Sequence, residues 1–149
     1  ALQNRGANFS LDPVHANVVA PRKRPYHTII PAMALRDDRP WLSFGVMGGF
    51  MQPQGHVQVL TNIADFGMDP QAALDAPRWS VEPTTGDLTL ESGLGGLADA
   101  LAAMGHRVAV AGPDEGGQFG GGQVILIDPA TNMLHAGSDP RKDGCAVGY

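Results

Sequence analysis

Residues 45–59, GVMGGFMQPQGHVQV, limit what this chain can fold into more than any other stretch. An apolar run carrying Trp41, Leu42, Phe44 and Val46 leads into the pair Gly48-Gly49, and the segment that follows places Val57, Leu60, Ile63 and Ala64 on one face of a helix. A strand that turns through two glycines onto a helix start is a place to hold negative charge. Glycine admits positive φ and turns backbone N–H groups outward, while the first helical turn adds unpaired donors and the positive end of the dipole. Pro53 suits the first helical position, which needs no donor. Such a turn serves phosphate binding or an oxyanion hole, or it is a tight connection without chemistry.

With 149 residues the chain is expected to form one domain, 1–149, large enough to bury a core. Its 43% hydrophobic and 17% charged content is an ordinary globular balance. The net charge of −5 and a single short basic run, Arg22-Lys23-Arg24, argue against a nucleic-acid partner. Cys145 alone makes neither a disulfide framework nor a cysteine metal site, and His56 is not spaced with other histidines or acids as metal ligands are, so no metal or cofactor is expected. No window approaches a membrane span, and no membrane partner is expected. Residues 1–6 read as a strand cut at its end, so the chain is expected to be a piece of a longer protein.

Residues 1–28, rich in Pro, Asn and Arg, predict a strand end followed by a long ordered loop. Residues 29–35 and 41–47 predict a β-hairpin with a four-residue connection at 37–40, and Pro31 places an edge or a bulge near its start. The helix after the glycine pair should end by Gly67. Asp69 caps a second short helix that Pro77 stops. Strands are expected at 79–82 and 87–91. A third helix from Ser92 should carry Leu94, Leu97, Ala98, Leu101 and Met104 on its face and close at Gly105. A strand at 106–111 follows. Residues 112–122, with six glycines, lack the Lys-Ser/Thr of a phosphate loop and are read as a flexible loop. Strands at 123–127 and 133–136 flank a turn at 128–132. Alternating blocks of helices and strands with several antiparallel hairpins argue for a layered α/β sandwich.

Four blocks, KRPYHTIIPAM at 23–33, the glycine block, NIADFGMDPQAALDAPRW at 62–79 and AGSDPRKDGCAVGY at 136–149, resemble the small subunit of γ-glutamyltranspeptidases. More narrowly they are similar to the acylase-type branch, in which Met-Gln-Pro-Gln-Gly-His follows the double glycine. The resemblance covers essentially the whole chain in order. It implies an α/β (α+β) fold forming part of an αββα N-terminal-nucleophile hydrolase sandwich, mostly antiparallel sheet with packed helices. In that family a precursor cuts itself and the new N-terminal threonine becomes the nucleophile, its α-amino group serving as base. The resemblance places that threonine several tens of residues before Ala1. The missing N-terminal and large-subunit part of the precursor is thus an implied partner, and the isolated chain is expected to be inactive.

By the same resemblance Gly48 and Gly49 match the oxyanion-hole pair. Arg5 and Asn8 fall where transpeptidases hold the α-amino end of a γ-glutamyl group with a glutamine and an aspartate; His27 and Thr28 fall where paired serines hold its α-carboxylate. Asn8 lacks the charge that would pair with an ammonium, and Arg5 suits a carboxylate. The implied substrates are small γ-glutamyl or other acyl amides, as in glutathione metabolism. A cephalosporin-acylase-like amidase taking a dicarboxylate acyl group is an alternative, and a non-catalytic assembly or binding module is another. His56 is read as making a structural hydrogen bond, Asp139 and Arg141 as an ion pair that locks a loop, and Trp79 as a core or interface anchor. Bare sheet edges and apolar faces predict a homo-oligomer for the isolated chain.

Overall fold

The computed structural model describes residues 4–148 and divides after Ile30 into two units. In the first, Asn4–Asn8 form a 3₁₀ turn where a strand end was expected; Ala1, Leu2 and Gln3 lie outside the described residues. No residue from 4 to 30 is buried, and the unit is tied by local polar bonds. Asp12 Oδ1 accepts from the N–H of Val14, Asn17 Nδ2 donates to the carbonyl of Asn8 at 2.7 Å, and one parallel bridge joins Ser10 to Val18. The expected long ordered loop is therefore present, held by turns and side-chain caps.

The second unit is built on a four-stranded antiparallel sheet in the order β1-β2-β6-β7, with β1 at Ala32–Arg36, β2 at Arg39–Met47, β6 at Gly121–Ile127 and β7 at Leu134–Ser138. The β1–β2 hairpin closes in two residues where four were expected. Asp37 and Asp38 both take the left-handed conformation, with φ of 52° and 59°, so Arg39 and Pro40 belong to β2. Paired left-handed residues match the right-handed twist of the strands, and Asp tolerates that region better than most side chains. β1 is an edge strand that starts just after Pro31, and the register slips further along, between Ala34 and Leu35.

Central β2 alternates, burying Leu42, Phe44 and Val46 against helix α1, Gln52–Ala64. The buried face of α1 is Gly55, Val59 and Ile63, whereas Val57, expected inside, is 60% exposed. Gly55 sets this rotation: a Cβ there would lie 2.7 Å from Val46 Cγ1, so the helix approaches the sheet most closely at its glycine and its i+4 and i+8 neighbours follow inward. Gly67 takes φ 67° just beyond the helix, as expected. Asp69 accepts from the N–H of Ala72 at 2.8 Å and starts α2, Pro70–Asp75, which buries Ala73 and Leu74 in the same core. The opposite sheet face is open. Met33, Ser43, Ile125 and Ala136 form one row across all four strands, and Met33 and Ile125 are exposed.

A second sheet holds β3 (Trp79–Val81), β4 (Leu88–Leu90) and β5 (Val108–Val110), the last pair parallel. Trp79, at 38% exposure, is no core anchor. Side-chain amides stand in for a neighbouring strand beside β3. Gln54 accepts from the N–H of Val81 at 2.7 Å and donates to its carbonyl at 3.0 Å; Gln58 does the same to Trp79 at 3.0 and 2.9 Å. Gln71 repeats the arrangement on Ser138 of β7.

The third helix is shorter than its spacing predicts. Ser92–Leu97 is a 3₁₀ segment, only Ala98–Ala103 is α-helical (α3), and Leu97 and Met104 are exposed. Gly93, Gly95 and Gly96 explain this, because glycine disfavours the α-helix and offers no apolar surface to bury. The segment read as a flexible loop is also a correction: Pro113–Phe119 is a 3₁₀ helix, Phe119 is fully buried, and β6 already begins at Gly121. Apart from these local shifts, the mostly antiparallel sheet with packed helices is as expected.

Candidate active site

β2 ends at Met47 and delivers the chain to Gly48, with φ 148° and ψ 33°, then to Gly49 with φ 60°. Gly49–Met51 make one 3₁₀ turn, closed by the N–H of Met51 on the carbonyl of Gly48 at 3.1 Å, and α1 follows with Pro53 in its first turn. Among the described residues no acceptor takes the N–H of Gly48 or of Gly49. A Cβ at Gly49 would meet nothing within 4 Å, so the turn opens on free space there. Gly48 is the reverse: a Cβ would lie 2.9 Å from the Cα of Gly120. Two unpaired donors beside a helix start are what an oxyanion needs.

One turn along α1, His56 Nδ1 donates to the carbonyl of Gln52 at 2.7 Å, and its ring lies 5.4 Å from that of Phe44. This is the structural hydrogen bond expected of it.

A buried ion network lies behind the turn. Asp139 and Arg141 pair at 3.1 Å, as the loop-locking reading expects, but the network is larger. Asp139 also binds Arg78 at 2.6 Å with both side chains buried, and Arg141 binds Glu91 at 2.6 Å. The guanidinium of Arg141 caps the carbonyls of Leu74 and Ala76 at the end of α2, and the backbone N–H of Arg78 donates to Glu91 at 2.7 Å. Burial favours the neutral acid at Asp139. The N–H groups of Arg141 and Gly122 and the charge of Arg78 outweigh it and hold the carboxyl below its usual range. At Glu91 burial is likewise overcome, by Arg141 and the N–H of Arg78. Both shifts stabilise the fold above the ordinary carboxylate range of about pH 4, and that contribution is lost as pH falls through the lowered native values. The thermal midpoint is therefore expected to fall below about pH 4 in wild type, and less steeply in Glu91→Gln; equal slopes in a melting series against pH would exclude Glu91 from the network's acid sensitivity.

The remaining sequence-derived residues lie in the first unit. Arg5 and Asn8 share the 3₁₀ turn; Arg5 is half-buried and its Nε has no partner, while Asn8 is exposed. Arg5 forms no ion pair with Asp12 among the described residues. His27 is exposed and Thr28 half-buried. Sequence reasoning missed Arg78, Glu91, Phe119 and Gly120. The one signal available was Gly120 ahead of an apolar strand, a place for positive φ, which here is 81°.

The family model for gamma-glutamyltranspeptidase matches residues 1–149. The chain belongs to the γ-glutamyltranspeptidase family. The glutathione hydrolase-like YwrD proenzyme of Bacillus subtilis is 41% identical over 99% of this chain, and the oxamate amidohydrolase proenzyme of Klebsiella pneumoniae is 38% identical over 99%. The solved structure of cephalosporin acylase from Bacillus halodurans is 51% identical and superposes over the whole chain with a TM-score of 0.89. The chain spans only 29%, 28% and 27% of the lengths of these three proteins. The family resemblance read from the four sequence blocks is thus correct, as is the expected fold.

Proposed function

We propose that residues 1–149 act as one domain, the C-terminal part of the small subunit of an N-terminal-nucleophile amidase, with Gly48 and Gly49 as its oxyanion hole. The observation that carries this reading is the pair of unclaimed N–H groups at the strand-to-helix turn, with open space beside Gly49. The nucleophile is a threonine of an upstream segment, at a chain start created by self-cleavage, in keeping with relatives named as proenzymes. Its Oγ attacks the amide carbonyl carbon while its α-amino group takes the hydroxyl proton. The carbonyl oxygen becomes the anion that the glycine N–H groups stabilise. Collapse breaks the C–N bond, the proton leaves with the amine, and water or an acceptor amine then takes the acyl group from the threonine ester.

Arg5, Asn8, His27 and Thr28 form the acyl-binding set in this proposal. A guanidinium with an unpaired Nε and a neutral asparagine suit an acyl group that ends in a carboxylate. That favours γ-glutamyl or dicarboxylate acyl amides, and it is in keeping with relatives named as an oxamate amidohydrolase and a cephalosporin acylase. The open sheet face with Met33 and Ile125 is the surface for the upstream part of the precursor, and it drives homo-association when this chain is produced alone.

The test is intact mass and N-terminal sequencing of the full-length product, followed by assays on γ-glutamyl and glutaryl p-nitroanilides. A small chain beginning with threonine and turning over either amide is expected, with no turnover by residues 1–149 alone. A product that stays whole and inert would instead support a binding module.

A further inference from the structure

The glycine-rich segment 112–122 has no part in the reaction as described, yet it meets the glycine turn from behind. The contact falls on one peptide plane. A Cβ on Gly120 would strike the carbonyl oxygen of Met47, which is the opposite end of the peptide that carries the Gly48 N–H. Gly48 in turn has its missing Cβ directed at the Cα of Gly120, 2.9 Å away. Met51, which closes the turn, is held as well, because Met51, Ala111 and Phe119 share one buried cluster.

What holds this segment is Arg78. It is 2% exposed, donates to the carbonyl of Phe119 at 3.1 Å, and is paired to Asp139, whose Oδ2 accepts the N–H of Gly122 at 2.7 Å. Phe119 and Gly122, which bracket Gly120 and Gly121, are thus fixed from one buried ion pair. We propose that Phe119 and Gly120, held by Arg78, are positioning residues that set the direction of the Gly48 N–H for the developing oxyanion. The inference rests on the oxyanion-hole reading. Its energetic basis is that a misplacement of about 1 Å at a reacting centre lowers rate by about a hundredfold, while ground-state binding elsewhere is untouched.

The experiment uses the mature full-length enzyme and γ-glutamyl and glutaryl p-nitroanilides. Arg78→Lys keeps a cation for Asp139 but loses the fork that also reaches Phe119, and Phe119→Leu loosens the grip on Met51 without touching the ion pair. Each is expected to lower kcat at least tenfold or so while KM stays within about twofold. Ile63→Ala is the control. Ile63 is buried near the far end of α1, about 16 Å along the helix from Gln52, and its loss should lower the melting temperature while leaving kcat within about twofold. If both Arg78→Lys and Phe119→Leu retain kcat, or lose no more than Ile63→Ala does for the same loss of melting temperature, the positioning role is overturned. Gly49→Val separates the two levels: full kcat in that variant sinks the oxyanion reading itself, whereas its loss alongside an active Phe119→Leu and Arg78→Lys sinks only the positioning role. Should Arg78→Lys fail to fold, Phe119→Leu decides alone.

Discussion

Replacement of Asp139 by asparagine is expected to cost about 3–5 kcal/mol of folding stability, the range for breaking a buried ion pair. The carboxylate is buried and takes Arg78, Arg141 and two backbone N–H groups. Asparagine is nearly the same size, so no cavity forms and the loss is electrostatic. It leaves the Arg78 guanidinium, 2% exposed, without the carboxylate it is paired to, and Glu91 as the remaining acid that acts on it. At this chain length the change corresponds to a drop of roughly 10 °C in the melting temperature. The double variant Arg78→Met with Asp139→Leu should recover part of the loss, because an apolar pair carries no desolvation cost. Recovery is incomplete, since the N–H of Gly122 and the guanidinium of Arg141 remain behind. Thermal and urea unfolding of the three proteins measure this, and a single variant within about 1 kcal/mol of wild type would show that water reaches the pair.

The second large effect concerns catalysis. On the proposed oxyanion-hole reading, Gly49→Val in the mature full-length protein should lower kcat by about 10²–10³, the usual consequence of losing one such donor. Two causes combine. A β-branched residue resists the φ of 60° that Gly49 holds, and its side chain enters the space left open beside the turn. Gly49→Ala separates them. A single left-handed alanine costs about 1–2 kcal/mol, and with nothing within 4 Å there is no clash, so the loss should be smaller. Steady-state kinetics on the two p-nitroanilides give the values, and a valine variant within threefold of wild type would remove Gly49 from the oxyanion hole.

The legibility of this chain follows the range of its interactions. The Asp69-Pro70 cap, the glycine stops at 67 and 105 and the glycine turn itself are local, and each was readable from neighbouring residues. The hairpin closed two residues early because Asp37 and Asp38 accept a conformation usually left to Asn and Gly. Periodicity misplaces the face of α1 because it counts Val57 as an inward residue and gives Gly55 no weight, although close approach to Val46 decides the rotation. Arg78 was invisible for another reason. Arginine reads as a surface residue, and its partner Asp139 lies 61 residues away in sequence. The same holds for the contact between Gly48 and Gly120, which joins the glycine turn to a segment whose composition reads as a loop.

The glutamines beside β3 have a consequence for assembly. An exposed strand edge is a template on which other chains add strands, and that route leads both to partner recognition by β-augmentation and to aggregation. On β3 the outward N–H and C=O groups of Trp79 and Val81 are already satisfied by Gln54 and Gln58. A side-chain amide has one donor end and one acceptor end, like a peptide, but it cannot propagate the ladder. The small sheet is thereby closed to growth at β3 by two residues of α1, the helix that starts at the glycine turn, and among the described residues only the β5 side is left for a further strand.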